Sequence, residues 1–499
     1  MQLPITISAS KGARLQQQLV DQIQALILRG VLLPGAQLPS SRDLADQLGI
    51  SRRTVVLSYE RLIDDGLIET RPALGTFVCD QLPSECIRIN SAAPSANSSE
   101  FVRAEAGEPV GGMTLFQARA DRLPYDFRIG KPDPSLFPRN HWRRLTLEHL
   151  DTFAMVVSDY TQPVGHLLLR QAIVSHLRTA RGIVCRPEQV VVTAGAQEGL
   201  NLVARLMAIQ GKTVIVEDPC YEGAARTFLS LGGNLAPVTV RKDGIDTDEL
   251  PLRGGCLGYV TPSHQFPLGV TMSQERRLAL IAWARRTGTL LVEDDYDSDF
   301  RHKSSPLVAL QALGPECVVY LGTFSKSIGP GLRLGYAVFP DHLVDSASAL
   351  KSIMNNGHPW LEQAVMAQFI SSGAFEQHLG RMRTRYLERR NALMDGLKVA
   401  FPSTSISGFE GGMHLVWELS SDLPSALDLQ LRCRRLGVGI YSLAQSPACQ
   451  LEDRPEHERL LLLGYPSLDR EQIAGGVERI KRAMLDERPM LHRVQASAH

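Results

Sequence analysis

The chain has 499 residues, a formal net charge of zero and 44% hydrophobic residues. This composition indicates a soluble globular protein, and the length predicts two or three domains. Charge, glycine or proline interrupts every apolar run, so we expect neither a membrane span nor, from the first residues, a signal peptide. The eight cysteines have no metal-ligand spacing, so we expect reduced thiols in a cytoplasmic protein.

Three helices are predicted near the amino terminus. The first carries apolar residues at helical spacing from Leu15 to Ile27. Ser40 or Ser41 can cap the second, and a glycine turn separates it from the third, which Ser51 can cap. We expect the third helix to turn Val55, Tyr59, Leu62 and Ile63 inward and to leave Arg52, Arg53, Thr54 and Ser58 outside.

Two short helices joined by a glycine turn predict a helix-turn-helix. The first turns of its second helix would reach base edges in the major groove while flanking cations hold phosphates. Residues 66–78 favour two short strands around a turn, which would form a wing. The residues expected to contact a double-stranded DNA operator are Ser41, Arg42, Ser51, Arg52, Arg53, Thr54, Arg71, Gly75 and Thr76. A small protein-interaction module is the alternative, because residues 1–80 hold eight basic and eight acidic side chains.

This block resembles the winged helix-turn-helix of the GntR family. The runs that carry the resemblance are residues 38–42, 51–55, 66–68 and 75–78, in the expected order. We therefore assign residues 1–79 to a DNA-binding domain. Residues 80–124 are largely small or polar and lack periodicity, which predicts a flexible linker. Residues 125–499 would form the effector domain.

Apolar strands alternate with helical stretches from residue 125 onward. Candidate strands cover residues 190–193, 213–217, 257–261, 289–293, 318–321 and 335–339. Such alternation predicts an α/β fold, with a mostly parallel sheet between helices and ligands at the carboxyl ends of the strands.

One lysine follows a candidate strand inside a run of small residues. Lys326 stands between hydroxyl residues and a Gly-Pro-Gly turn. We expect it to form a Schiff base with pyridoxal 5′-phosphate (PLP), while Thr323, Ser325 and Arg333 hold the phosphate ester. The alternative is a surface lysine in a glycine-rich turn.

Two earlier strand ends offer further cofactor contacts. Gly195, Ala196 and Gln197 open a helix after the first candidate strand, and backbone amides at such a terminus bind phosphate. Tyr221 follows the next strand and would stack on a flat cofactor ring, with ordinary packing as the alternative.

An acidic run follows the strand that ends at residue 293. We expect Asp294 to pair with the pyridine nitrogen of the cofactor and Tyr296 to reach its phenolic oxygen. An acidic run can also bind a metal. No histidine or further carboxylate follows at matching spacing, so we expect no metal site here.

From residue 125 onward the chain resembles fold type I, class I aminotransferase-like PLP proteins. Together with the GntR-like block, this is the arrangement of the MocR/GabR-type transcriptional regulators. The matching runs are residues 261–269, 292–298 and 322–333. The resemblance implies a homodimer with exchanged DNA-binding domains and a cofactor site near the subunit interface.

Two positions depart from the related enzymes. Phe266 occupies the place of an asparagine that bonds the cofactor, a form typical of the regulators. Leu462 occupies the place of an arginine that binds a substrate carboxylate. Either Arg459 or another cation replaces that arginine, or the effector is not a simple α-amino acid. The helix with His378, Arg381, Arg383 and Arg385 is expected to present a solvated basic face.

The function predicted is a PLP-dependent transcriptional regulator that senses a small amine, an amino acid or PLP itself through Schiff-base chemistry at Lys326. A class I aminotransferase with an accessory DNA-binding domain is the first alternative. A module in which PLP is structural and the effector is a protein is the second. The sequence does not identify the effector, the operator, the regulated genes or the sign of regulation.

Overall fold

The computed structural model describes residues 3–7, 15–28, 30–72, 74–80, 123–302, 308–403 and 405–485. The chain divides into two compact units, Met1–Pro109 and Val110–His499. The predicted linker, residues 80–124, lies almost entirely outside the described residues, so the three domain boundaries stay predictions.

Three helices and a two-stranded sheet form the amino-terminal unit. The helices are Leu15–Leu28, Ser41–Leu48 and Arg52–Asp64, and strands β1 (Ile68–Arg71) and β2 (Gly75–Val78) pair antiparallel. Ser40 caps the second helix by accepting from the Asp43 amide, and Ser51 caps the third by accepting from Thr54. The predicted helix-turn-helix and wing are therefore confirmed.

The inward face of the third helix differs from the prediction at two positions. Ile63 is 39% exposed, whereas Ser58 is fully buried. The Ser58 hydroxyl donates to the Thr54 carbonyl at 2.8 Å and lies 3.4 Å from the Gln16 carbonyl of the first helix. Because the Ser58 side chain is small and its hydroxyl is hydrogen-bonded within its own helix, the first helix can pack closely at this position. A prediction based on hydrophobicity alone does not find such a buried residue.

An eight-stranded sheet is the centre of the larger unit. The strands are β4 (Val190–Thr193), β5 (Thr213–Asp218), β7 (Asn234–Arg241), β8 (Gly244–Ile245), β9 (Leu257–Val260), β10 (Leu290–Asp295), β11 (Val318–Thr323) and β12 (Gly335–Val338). Their order in the sheet is β4-β12-β11-β10-β9-β5-β7-β8. β7, β5, β9, β10 and β11 run parallel, and β12 lies antiparallel between β11 and β4. All six candidate strands are confirmed, and β7 and β8 were not predicted.

Helices cover both faces of this sheet. The helices of the larger unit are Arg139–Val156, Leu167–Arg181, Ala196–Leu206, Glu222–Ser230, Gln274–Thr287, Leu310–Leu313, Val344–Asn355, Trp360–Ser371, Ala374–Ala400, Ala426–Arg435 and Arg470–Leu485. The last two pack on smaller strands of the unit. Along β4, Val190 and Val192 belong to one hydrophobic cluster and Val191 to another, as a strand buried on both faces requires. The mostly parallel α/β fold is thus confirmed.

Smaller strands complete the unit. β13 (Ser405–Ser407), β14 (His414–Glu418), β18 (Leu460–Gly464) and β16 (Tyr441–Ser442) form a second sheet, β3 (Tyr125–Asp126) pairs with β15 (Val438–Gly439), and β6 (Cys220–Tyr221) pairs with β17 (Ala448–Cys449). Within the described part of the chain, no helix is both long and apolar enough to cross a membrane.

Candidate functional site

The carboxyl ends of the parallel strands bring most of the predicted cofactor residues to one edge of the large sheet. Gly195 follows β4, Tyr221 follows β5, Asp294 is the penultimate residue of β10, and Lys326 follows β11. Because β4 and β11 are both antiparallel to β12, their carboxyl ends point the same way. The edge is the expected ligand position in an open α/β sheet.

A helix terminus and an arginine form a cradle for an anion. Gly195 has a φ of +101° and precedes the helix Ala196–Leu206. A Cβ at Gly195 would lie 3.6 Å from both terminal nitrogens of Arg333, so the guanidinium flanks the helix terminus. Amides without intrahelical acceptors and a guanidinium together suit a phosphate group.

The other predicted phosphate contacts are partly engaged elsewhere. The Gln197 side-chain nitrogen donates to the Gly223 carbonyl at 3.1 Å, and its Oε1 is buried without a hydrogen-bond partner among the described residues. The Thr323 hydroxyl donates to the Ser325 hydroxyl at 2.9 Å. The Ser325 amide donates back to the Thr323 hydroxyl at 3.1 Å, which rigidifies the turn before Lys326.

Glu198 anchors the cradle through a buried ionic cluster that the sequence did not reveal. Its carboxylate accepts from the Ala194 amide and the Lys351 ammonium, both at 2.6 Å, and lies 2.7 Å from His358. Burial opposes ionisation of Glu198, but hydrogen bonds from His358, Lys351 and Ala194 outweigh it and lower its pKa to about 2. The loop before the cradle is thereby fixed to the helix Val344–Asn355.

Lys326 lies beside a glycine from a distant part of the chain. Its Nζ donates to the Gly130 carbonyl at 3.1 Å, and a Cβ at Gly130 would come within 2.8 Å of Nζ. Burial lowers the pKa of Lys326, although the charges of Asp297 and Asp294 act in the opposite direction. A lysine with a lowered pKa is more often neutral and therefore more nucleophilic.

Asp294 presents one carboxylate oxygen without a hydrogen-bond partner among the described residues. The Tyr259 hydroxyl donates to Oδ2 at 2.8 Å, while Oδ1 is buried and unsatisfied. Burial raises the pKa of Asp294 to about 6, against the bond from Tyr259. A buried acceptor of this kind fits a protonated ring nitrogen, which would supply the missing donor.

Three aromatic rings line the site between the strand ends. Tyr221 meets Phe266 edge to face at a centroid distance of 5.8 Å, and Phe266 meets Tyr296 at 5.9 Å. The Tyr296 hydroxyl donates to the His264 carbonyl at 3.0 Å, so a contact with a cofactor oxygen would replace or share that bond. Burial and the nearby Asp294 raise the pKa of Tyr221 to about 12.

Two histidines distant in sequence approach the acidic run. His264 lies 2.9 Å from Asp297 through Nδ1, and the His264 and His414 ring centroids are 4.8 Å apart. The ligand atoms of these three buried residues lie within 4.8 Å of one another. His414 donates through Nε2 to the Pro267 carbonyl at 2.9 Å, whereas His264 Nε2 is buried without a hydrogen-bond partner among the described residues. The expectation that no metal binds here stays a prediction.

The expected solvated basic face is present at Arg381 and Arg385, which are exposed, but not at His378, and the structure engages Arg459, one of the alternatives left open for the missing arginine, in other contacts. His378 is buried, not solvated, and its Nε2 lies 2.7 Å from the Ser327 carbonyl, next to Lys326. Arg459 does not serve as a free cation, because its guanidinium donates to the carbonyls of the chain at 419, 420 and 423. Leu462 is buried against Val416, as an apolar side chain should be.

The predicted DNA contacts lie on the amino-terminal unit. Arg42, Arg52 and Arg53 are exposed at or near the helix starts, and Arg52 Nε lies 3.3 Å from the Ser41 hydroxyl. Ser51 and Gly75 are also exposed, whereas Thr54 and Thr76 are half-buried. Arg71 on β1 instead pairs with Glu69 at 2.7 Å and Asp80 at 3.0 Å and lies over the Phe77 ring. A phosphate would have to compete with two carboxylates at Arg71.

Comparison with known proteins matches both units. Residues 140–480 match the aminotransferase class I and II family, and residues 15–78 match the gntR family of bacterial regulatory proteins. The chain is 34% identical over 478 residues to the probable rhizopine catabolism regulatory protein MocR of Rhizobium meliloti, with 94% of each chain covered.

The chain is also similar to a second regulator and to an aminotransferase of known structure. The chain is 34% identical over 442 residues to the HTH-type pyridoxine biosynthesis transcriptional regulator PdxR of Corynebacterium glutamicum, covering 89% of this chain and 91% of the relative. The crystal structure of LysN, an alpha-aminoadipate aminotransferase from Thermus thermophilus, is 29% identical with a TM-score of 0.63, covering 72% of this chain and 92% of that chain.

Proposed function

The chain belongs to the GntR-type transcriptional regulators that carry a class I and II aminotransferase domain, and from this premise we propose that it binds PLP at Lys326 to sense a small amine. Aminotransferases of this family depend on PLP. The observation that supports the proposal most is the unsatisfied Asp294 Oδ1 on the same sheet edge as Lys326 and the Gly195 cradle.

Each part of the site has a role in holding the cofactor. The helix terminus at Gly195 and the Arg333 guanidinium would bind the phosphate, and Asp294 would accept the proton of the ring nitrogen. Tyr221 would pack on the ring, and the Tyr296 hydroxyl would reach its phenolic oxygen. When bound, PLP supplies an aldehyde that condenses reversibly with primary amines.

Sensing would follow from exchange at Lys326. Lys326 would hold the cofactor, and an amine that took its place would leave the lysine as a free amine under the influence of the Asp297 and Asp294 charges. The change in charge and contacts supplies a free-energy difference between the two states, and this difference shifts the equilibrium of the DNA-binding units. We also propose a cytoplasmic homodimer with exchanged DNA-binding domains, which would favour paired half-sites in the operator.

Leu462 and Arg459 bear on the chemical class of the effector. With Leu462 buried and Arg459 engaged by backbone carbonyls, neither position offers a cation to an α-carboxylate. This supports an amine whose other end is recognised by a different group, such as the polar Asp297 and His264 pair, or PLP itself.

The test is the absorbance of the full-length protein reconstituted with PLP. Lys326→Ala should abolish the band of the lysine-bound cofactor, whereas Lys212→Ala, which alters an exposed lysine, should retain it. If the Lys326→Ala variant keeps the band, the site assignment is wrong.

Measurement of amino-group turnover distinguishes a sensor from an aminotransferase. Candidate amines should shift the absorbance and change the affinity for DNA upstream of the protein's own gene in a gel-shift assay. Transfer of the amino group to a keto acid at ordinary enzyme rates would favour the aminotransferase alternative and contradict a primary sensing role.

A further inference from the structure

Two cysteines face each other across a short antiparallel ladder beside the proposed cofactor site. β6 and β17 pair so that Cys449 lies directly opposite Cys220, and Ala448 opposite Tyr221. Directly opposed residues in such a ladder have Cα atoms about 4.5–5.5 Å apart. A disulfide spans Cα separations of about 4.4–6.8 Å. The two thiols are also in hydrogen-bonding contact.

We propose that Cys220 and Cys449 are a modification site at which a peroxide forms a reversible intramolecular disulfide. Cys449 is half-buried and can meet hydrogen peroxide, whereas Cys220 is fully buried and serves as the resolving thiol. Both are free thiols in the structure.

The chemistry of the pair follows from this asymmetry. The hydrogen bond from Cys220 lowers the pKa of Cys449, and the same bond raises that of Cys220. The Cys449 thiolate attacks one peroxide oxygen, so an S–O bond forms, the O–O bond breaks and hydroxide leaves to become water. The Cys220 sulfur then loses its proton and attacks the Cys449 sulfur, which forms the S–S bond and releases a second water. Two thiols are oxidised and one peroxide is reduced.

The bond would fix two segments that are now held by reversible contacts. The Glu222 amide donates to the Pro447 carbonyl at 3.0 Å. The amides of Leu451 and Glu452 donate to the Asp218 carboxylate at 2.8 and 3.1 Å. A disulfide makes this attachment covalent one residue before Tyr221. We infer that oxidation slows the response to an amine, because the loop with Tyr221 can no longer separate from β17. This inference rests on the proposed function.

The experiment treats reduced full-length protein with hydrogen peroxide, then alkylates it and digests it without reductant. The thiol count of the denatured protein should fall by two from the eight cysteines of the chain, and mass spectrometry should find Cys220 linked to Cys449. Dithiothreitol should reverse both results. Cys317→Ser removes a half-buried thiol elsewhere and should leave the link intact.

Two variants test the assignment of roles. Cys220→Ser should trap Cys449 as a sulfenic acid that dimedone labels, and Cys449→Ser should protect Cys220 from oxidation. A link to any other cysteine, a link between chains, or direct progress of Cys449 to sulfinic acid in the unaltered protein would overturn the proposal.

The effect on the amine response has a separate readout. The amine-induced absorbance change should be slower in oxidised than in reduced protein. Equal rates with the disulfide formed would overturn the link to Tyr221. Failure of reduced protein to bind PLP would instead count against the proposed function, because the disulfide is measured without the cofactor.

Discussion

Replacement of Tyr259 by phenylalanine tests whether Asp294 is held for the ring nitrogen of PLP. Tyr259 is fully buried on β9, and its hydroxyl donates to Asp294 Oδ2 at 2.8 Å. The phenylalanine ring fills the same volume but lacks the donor. The carboxylate then keeps its position in the sheet and loses the bond that stabilises its charge, so its pKa rises further above its ordinary range.

The size of the effect follows from the charge of the acceptor. A hydrogen bond to a charged group contributes about 1.5–3 kcal/mol, and about 1.4 kcal/mol is a tenfold change in affinity. We therefore expect PLP to bind about 10- to 100-fold more weakly to Tyr259→Phe near neutral pH. Because the pKa of Asp294 is raised to about 6, the carboxylate is lost as the pH falls through that value. The defect should therefore grow toward pH 6 and shrink at alkaline pH.

The assay is titration of full-length protein with PLP, followed by absorbance at several pH values. Tyr320→Phe is the matched control, because Tyr320 donates in the same way to the adjacent Asp295 at 2.6 Å. Asp295 pairs with the buried Arg181, so the control should affect stability and leave PLP affinity nearly unchanged. Equal affinity of Tyr259→Phe and unaltered protein across this pH range would refute the role given to Asp294.

Other perturbations test the cradle and the DNA-binding surface. Glu198→Gln should lower the free energy of unfolding by about 3–5 kcal/mol in urea titrations, because fully buried Lys351 would keep an uncompensated charge; a Lys351→Met background should remove most of that loss. The pKa of Glu198 is lowered from 4.5 to about 2, so the ionised carboxylate stabilises the fold above pH 4.5, and this stabilisation should be lost as the pH falls from 4.5 to 2. A difference in unfolding free energy between Glu198→Gln and the unaltered protein that stays constant over this pH range would contradict the pairing. Arg52→Ala should weaken operator binding by about 1–3 kcal/mol and reduce the salt slope by about 1, whereas Arg61→Ala, near the end of the same helix, should not. Unchanged affinity and slope for Arg52→Ala would argue against the recognition helix.

The sequence was informative where local pattern decides structure. Ser51 before a helical repeat predicted a helix cap, and continuous apolar runs predicted β4 and β10 because both faces of these strands are covered. β7 was missed, since it carries Pro237 and is buried only toward its end. The prediction of the inward face of the third helix was wrong at Ser58 and Ile63. A small residue such as Ser58 can be buried in a close helix contact because its hydroxyl donates a hydrogen bond to a carbonyl of its own helix.

The sequence by itself predicted that polar residues at the ends of strands, above all Asp294 and Lys326, would lie on one edge of the sheet. It could do so because a parallel sheet gathers those ends along one edge, whatever the details of packing. Only the tertiary structure decided which partners meet them, such as Tyr259 on Asp294 and Gly130 on Lys326. The register between strands and the packing of distant helices determine these contacts, and neither leaves a local signal in the chain. The opposition of Cys220 and Cys449 arises in the same way, from the pairing of two-residue strands far apart in sequence.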